Sequence, residues 1–154
     1  HSRSWTMVAM PPLCTNDHHV NYNCNLRSTR LLSCESKIFM VGGLEKHSQG
    51  TVIAIIIWQF EIMDSVRSEW KWKEIGRMPH AVFEDFVRTS CSNWFECVAV
   101  GKYMCFRAHG SLKVVVYNIR DCTWNWLPKY DDQHDPDHKH MLLRSMAYHP
   151  WNYQ

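Results

Sequence analysis

The chain has 154 residues, 45% of them apolar, with eight Trp and a net charge of +2. That is enough for one domain with a real core, too apolar for a disordered chain, and too weakly charged to point to nucleic acid or a membrane surface as a partner. The longest apolar run, Val52 to Trp58, falls far short of the roughly 20 residues that span a bilayer.

Taken in order, Ser4 to Pro11 reads as a strand ended by Met10-Pro11-Pro12, because Pro cannot donate to a ladder. Leu13 to Ser28 is polar and carries no period, so a long loop is expected there. Four strands follow. Leu31 to Cys34 is short, and Glu35-Ser36-Lys37 turns the chain into Ile38 to Val41, which is closed by Gly42-Gly43. A diglycine directly after an apolar strand marks positive φ or a close approach of other atoms. Glu45 to Gly50 reads as a loop, Thr51 to Glu61 as a strand buried on both faces, Met63 to Ser68 as a turn, and Trp70 to Ile75 as the fourth strand, ending at Met78-Pro79.

His80 to Ser90 departs from this pattern. Val82, Phe83, Phe86 and Val87 recur at three- and four-residue spacing with Glu84, Asp85 and Arg88 between them, which predicts a short amphipathic helix near 81–89 with acids in its first turn. The strand pattern then returns: Phe95 to Ala99, a turn at Val100-Gly101-Lys102, Tyr103 to Arg107, a turn at Ala108 to Ser111, Leu112 to Asn118, and Thr123 to Leu127. The stretch Val114 to Pro128 is the clearest unit, a buried strand, a polar turn at Arg120-Asp121, and a Trp-bearing strand stopped by Pro. Asp131 to Lys139 is a charged loop and Met141 to Tyr148 a last apolar strand.

The chain therefore reads as the last strand of one unit (1–12), a four-strand unit (29–79), a helical insertion (80–92), a second four-strand unit (93–130) and a first strand of another, or a closing strand (141–149). Lys37 and Lys102, each just before a second strand, lie 65 residues apart. Propeller blades repeat at about 40–50 residues, and the inserted helix with the turn at Met63 to Ser68 accounts for the excess. A β-sandwich with turns at similar spacing is the competing architecture.

Several motifs resemble kelch repeats. Lys37 to Gly43 supplies a strand ending in Gly-Gly, and Tyr117 with Trp124 supplies the aromatic half of the next repeat, six residues lying between them. Trp72 to Pro79, Asn93 to Cys97 and Trp124 to Pro128 are similar to the C-terminal blades of plant F-box/kelch-repeat proteins. The second unit has Ala108-His109 where a diglycine would fall, and the first has Trp58 in place of Tyr. The resemblance implies an all-β fold, a partial kelch-type β-propeller of four-stranded antiparallel blades with one inserted helix. It implies a substrate-recognition module that holds a protein on one propeller face, with neither a cofactor nor a catalytic residue of its own. The family docks on a Skp-type adaptor and a cullin through an F-box, a helical module that here would precede His1.

Candidate sites follow from this picture. In propellers the loops between second and third strands gather at one face near the central channel. Here they contain Glu45, Lys46 and His47 in one unit and Arg107 and His109 in the next; Arg is favoured at protein interfaces for its planar fork of donors. Trp5, Trp70, Trp72, Trp124 and Trp126 fall on last strands, where packing between neighbouring blades uses their area. Phe83, Phe86 and Val87 are expected to pin the helix rather than to dock a partner. His134 to His140 mixes imidazoles and carboxylates in a way that suits zinc or nickel, but Pro136 and the lack of a rigid element favour a solvated loop. Cys97 or Cys105 with His109 would make a nucleophile–base pair only if the thiols were accessible, and strand alternation buries them. Seven Cys without a Cys-x-x-Cys pair indicate a reducing compartment, nucleus or cytoplasm. A kelch scaffold outside ubiquitination, and an enzyme on a propeller fold such as a copper-radical oxidase or sialidase relative, are the other readings.

Overall fold

A computed structural model describes residues 24–46, 50–64, 69–90 and 94–128. The expected strands at 4–11 and 141–148, the His134 to His140 cluster, Trp5 and His47 lie outside the described residues. Eight strands and one helix follow in order: β1 (Cys24–Cys34), β2 (Lys37–Lys46), β3 (Thr51–Asp64), β4 (Glu69–Arg77), α1 (His80–Arg88), β5 (Phe95–Val100), β6 (Tyr103–Ala108), β7 (Val114–Asn118) and β8 (Thr123–Trp126). They form two four-stranded antiparallel sheets, β1-β2-β3-β4 and β5-β6-β7-β8, each laid down in sequence order. Neither sheet closes into a barrel, and the described residues contain no closed propeller.

The element types agree with the sequence, and several boundaries do not. β1 starts at Cys24, inside the expected loop. Its register on β2 slips between Arg27 and Arg30, so Ser28 and Thr29 oppose the single residue Gly42. This β-bulge turns Ser28 to φ 53° and breaks the alternation by which a strand is recognised. β2 runs on through Glu45 and Lys46, which places both in a strand rather than a loop. The helix begins directly after Pro79 and has no acid in its first turn, because Glu84 and Asp85 fall one turn later.

The core lies between the sheets. On β3, Ile55 and Ile57 face the second sheet and Ile56 and Trp58 face away, so this strand is buried on both sides as its composition predicts. Sixteen buried residues from both sheets and the helix form one cluster, against four on the far face of the first sheet. The seam is therefore the main core, and neither sheet has a comparable one of its own. Phe83 and Phe86 are buried in that cluster, which fixes α1 to β3 and β6. Gly43 answers the question its sequence context raised. It has no positive φ, and a Cβ there would sit 3.0 Å from Val52 Cγ1 and 3.1 Å from Phe95 Cε1. Close approach of Val52 on the neighbouring strand β3 and of Phe95 on the second sheet is what requires glycine.

Tyr117 joins the two sheets most directly. It is fully buried on β7, its ring lies 4.8 Å from Trp124 on β8, and its hydroxyl donates to the Ile75 carbonyl on β4 at 2.8 Å. Burial raises its pKa, so the phenol stays a donor. Gly76 makes room for it, since a Cβ there would meet the phenol at 2.9 Å. At one end of the seam the turns interlock. Arg120 of the β7–β8 turn donates from Nε to Glu35 of the β1–β2 turn at 3.0 Å, and the Cys34 thiol donates to the Gly101 carbonyl. That ion pair holds the Glu35 carboxyl below its ordinary pKa through the Arg120 hydrogen bond.

The sheets are stacked in like orientation, with β1 beside β5. The second sheet turns Tyr117 and Trp124 toward the first, and the first turns Trp58 and Trp72 away from the second. In a like-oriented stack these are the same face, but the registers differ: Tyr117 stands opposite Trp124, whereas Trp58 stands opposite Glu74 and Trp72 opposite Phe60. Trp124 and Trp126 pack at the seam as the sequence predicts, whereas Trp70 is 43% exposed and stacks on Phe60 at 5.0 Å.

Candidate functional site

The end of the seam opposite the interlocked turns is open, and it is here that charged and aromatic side chains gather. Asn25 on β1 stands directly opposite Glu45 on β2, and Arg27, two residues on, shares that face diagonally. Arg27 grips the Glu45 carboxylate with both arms of its fork, Nε to Oε2 at 2.8 Å and Nη2 to Oε1 at 2.9 Å. Its guanidinium carbon lies 5.8 Å from the ring centroid of Trp94, the residue that leads into β5. The pair is half-screened, with 33% of the Arg27 side chain exposed and 12% of Glu45. Asn25, Leu26, Arg27, Ser28, Thr29, Glu45 and Trp94 line an open groove between the two sheets. Inside it the Ser28 hydroxyl is buried without a hydrogen-bond partner.

Of the residues singled out in the sequence, Glu45 lies in this groove. His109 reaches it indirectly, its backbone N–H donating to the Trp94 carbonyl at 3.0 Å from the exposed turn after β6. Lys46 ends β2 beside Glu45, and His47 lies outside the described residues. Arg107 is elsewhere. It pairs across the ladder with Glu96 on the outer face of the second sheet, Nη2 to Oε2 at 2.6 Å, and belongs to a strand rather than a loop. Arg27 and Ser28 were missed because the bulge hides β1. Trp94 stood in a recognised motif, but nothing in the sequence places it opposite Arg27.

Cys97 and Cys105 are not placed as a nucleophile would need to be. Cys97 is buried on the seam, and desolvation pushes its thiol well above the ordinary range, with Cys105 raised for the same reason. A raised thiol pKa leaves little thiolate at neutral pH, which is the wrong direction for a nucleophile. Brief alkylation at pH 7.5 followed by mass mapping should therefore label exposed Cys122 and spare Cys97 until the protein is unfolded; labelling of Cys97 at the rate of Cys122 would contradict its burial. Among the described residues no group of three or more His, Cys, Asp or Glu converges to hold a metal ion. None of their helices is long and apolar enough to cross a membrane.

No protein-family model matches the chain, and no solved structure matches it. Over 103 residues, 67% of its length, the chain is 24% identical to Protein UNUSUAL FLORAL ORGANS of Arabidopsis thaliana, and the match spans 22% of that plant protein.

Proposed function

We propose that the chain is a protein-binding module, the substrate-recognition part of an F-box/kelch receptor in a cullin-type ubiquitin ligase. Its act is binding, and ubiquitin transfer belongs to its partners. The observation that carries this reading is the repeated unit: two four-stranded meanders stacked in like orientation, with an aromatic pair on the same face of each. Stacked sheets of this kind are what propeller blades are built from. The partial likeness to a plant protein is in keeping with the plant F-box/kelch resemblance carried by Trp72 to Pro79, Asn93 to Cys97 and Trp124 to Pro128. The open groove at Arg27, Glu45 and Trp94 lies at a strand-end face, where a rigid scaffold offers its binding residues. Docking on a Skp-type adaptor would need an F-box on the parent polypeptide, and the compartment of action would be nucleus or cytoplasm.

Quantitative ubiquitin-remnant proteomics in plant cells tests this. Cells carrying the parent protein are compared with cells in which residues 24–128 are deleted from it. A discrete set of proteins should lose its ubiquitin remnants and accumulate. An unchanged remnant profile, with the adaptor still bound, would sink the ligase role and leave a scaffold.

A further inference from the structure

The groove already contains an answer to what kind of segment it takes. Among the described residues Arg27 is the only cation lining it, and that cation is already matched by Glu45 through two hydrogen bonds. Phosphorylated and acidic motifs are read by clusters of Arg with free donors. A phosphate brought to Arg27 would instead meet the Glu45 carboxylate at the same guanidinium. The pair is therefore electrically closed, and what it offers a ligand is a flat, fixed platform braced against Trp94.

Two further features point to the complementary chemistry. The Ser28 residue is 8% exposed, its hydroxyl has no partner, and it sits in a left-handed conformation at the bulge. A buried hydroxyl without a hydrogen bond is costly, and a ligand that supplies one main-chain N–H or carbonyl removes that cost. Beside it, 56% of Trp94 remains exposed, an amphipathic anchor of the type that dominates protein interfaces. The geometry points to an extended, unphosphorylated peptide segment as the occupant, with an apolar or aromatic side chain on Trp94 and a main-chain group on Ser28. This rests on the receptor reading and names the substrate class for it: recognition that does not wait for a kinase.

The test uses the full chain carried on a soluble fusion partner and a phage-displayed random peptide library, with synthetic copies of enriched peptides measured by fluorescence anisotropy. Enriched sequences should share an apolar or aromatic position and no acidic consensus. Trp94→Ala should weaken binding about tenfold, the loss of a buried aromatic contact. Ser28→Ala should weaken it about fivefold, one neutral hydrogen bond, while leaving the melting temperature unchanged or higher, because the hydroxyl it removes is unsatisfied in the free protein. That split between binding and stability is what a merely structural Ser28 would not give. A copy of the peptide with phosphoserine next to its apolar position should bind more weakly. Enrichment of acidic sequences, tighter binding of the phosphoserine copy, equal binding by both variants, or no enrichment at all would each overturn the assignment. The remnant proteomics is independent of it: a ubiquitin profile that still depends on the chain would leave the receptor reading standing with a different site.

Discussion

Replacing Tyr117 by alanine should cost about 3–5 kcal/mol of folding stability, the range for emptying a large aromatic position in a packed core. The residue is fully buried, touches Trp124, and bonds to Ile75 of the other sheet. Its loss opens a void where both sheets and their last strands meet. Total stability of a small domain is about 5–15 kcal/mol, so the variant should be unfolded or nearly so at room temperature. Tyr117→Phe keeps the ring and removes the hydroxyl, and about 1 kcal/mol is expected from the stranded Ile75 carbonyl. Urea unfolding followed by Trp fluorescence measures both. A Tyr117→Ala variant as stable as the parent would mean that the two sheets do not share a core.

The second large effect separates two neighbouring glycines. Gly43→Ala should destabilise the chain by about 1–3 kcal/mol, the cost of overpacking, because its new methyl would press on Val52 and the Phe95 ring inside the seam. Gly42→Ala should cost clearly less. There the nearest atom is Leu26 Cδ2 at 3.2 Å, the free end of a flexible side chain on the opposite face, which can turn aside. Thermal unfolding of the two single variants decides it. Equal losses would mean that the pair serves the strand and not the contact between sheets.

The element types were legible because they rest on local pattern. Val52 to Trp58 reads as a strand hidden on both faces, which holds from Ile55 to Trp58 while Ile53 is exposed, and the spacing of Val82, Phe83, Phe86 and Val87 reads as one turn after another of helix. The turn at Glu35-Ser36 was read from polarity alone, and both residues take positive φ there without glycine, at 47° and 61°. The start of β1 was not legible, since the bulge at Ser28 and Thr29 puts polar residues where alternation should be. The groove was half legible for the same reason. Glu45 lay in a segment already suspected, but its partner Arg27 came from a segment read as loop, and the Trp94 that braces Arg27 comes from the next sheet. Arg107 fell to the opposite error: two residues from an exposed turn, its strand register nonetheless commits it to Glu96. Pairings between distant strands set these outcomes, and a single sequence does not display them.

The two ends of the seam differ in what they would tolerate under directed evolution. Glu35, Gly101 and Arg120 clasp the turns at one end, and each is tied to a residue of the other sheet or its turn. At the opposite end Asn25, Thr29 and Trp94 sit over the groove with exposed side chains. Randomising the clasp positions would cut ties between the sheets. Randomising the groove positions would mostly yield folded protein with altered appetite. An engineer seeking a receptor for a new target would therefore diversify one end of the strands only, and could screen for binding without first rescuing the fold.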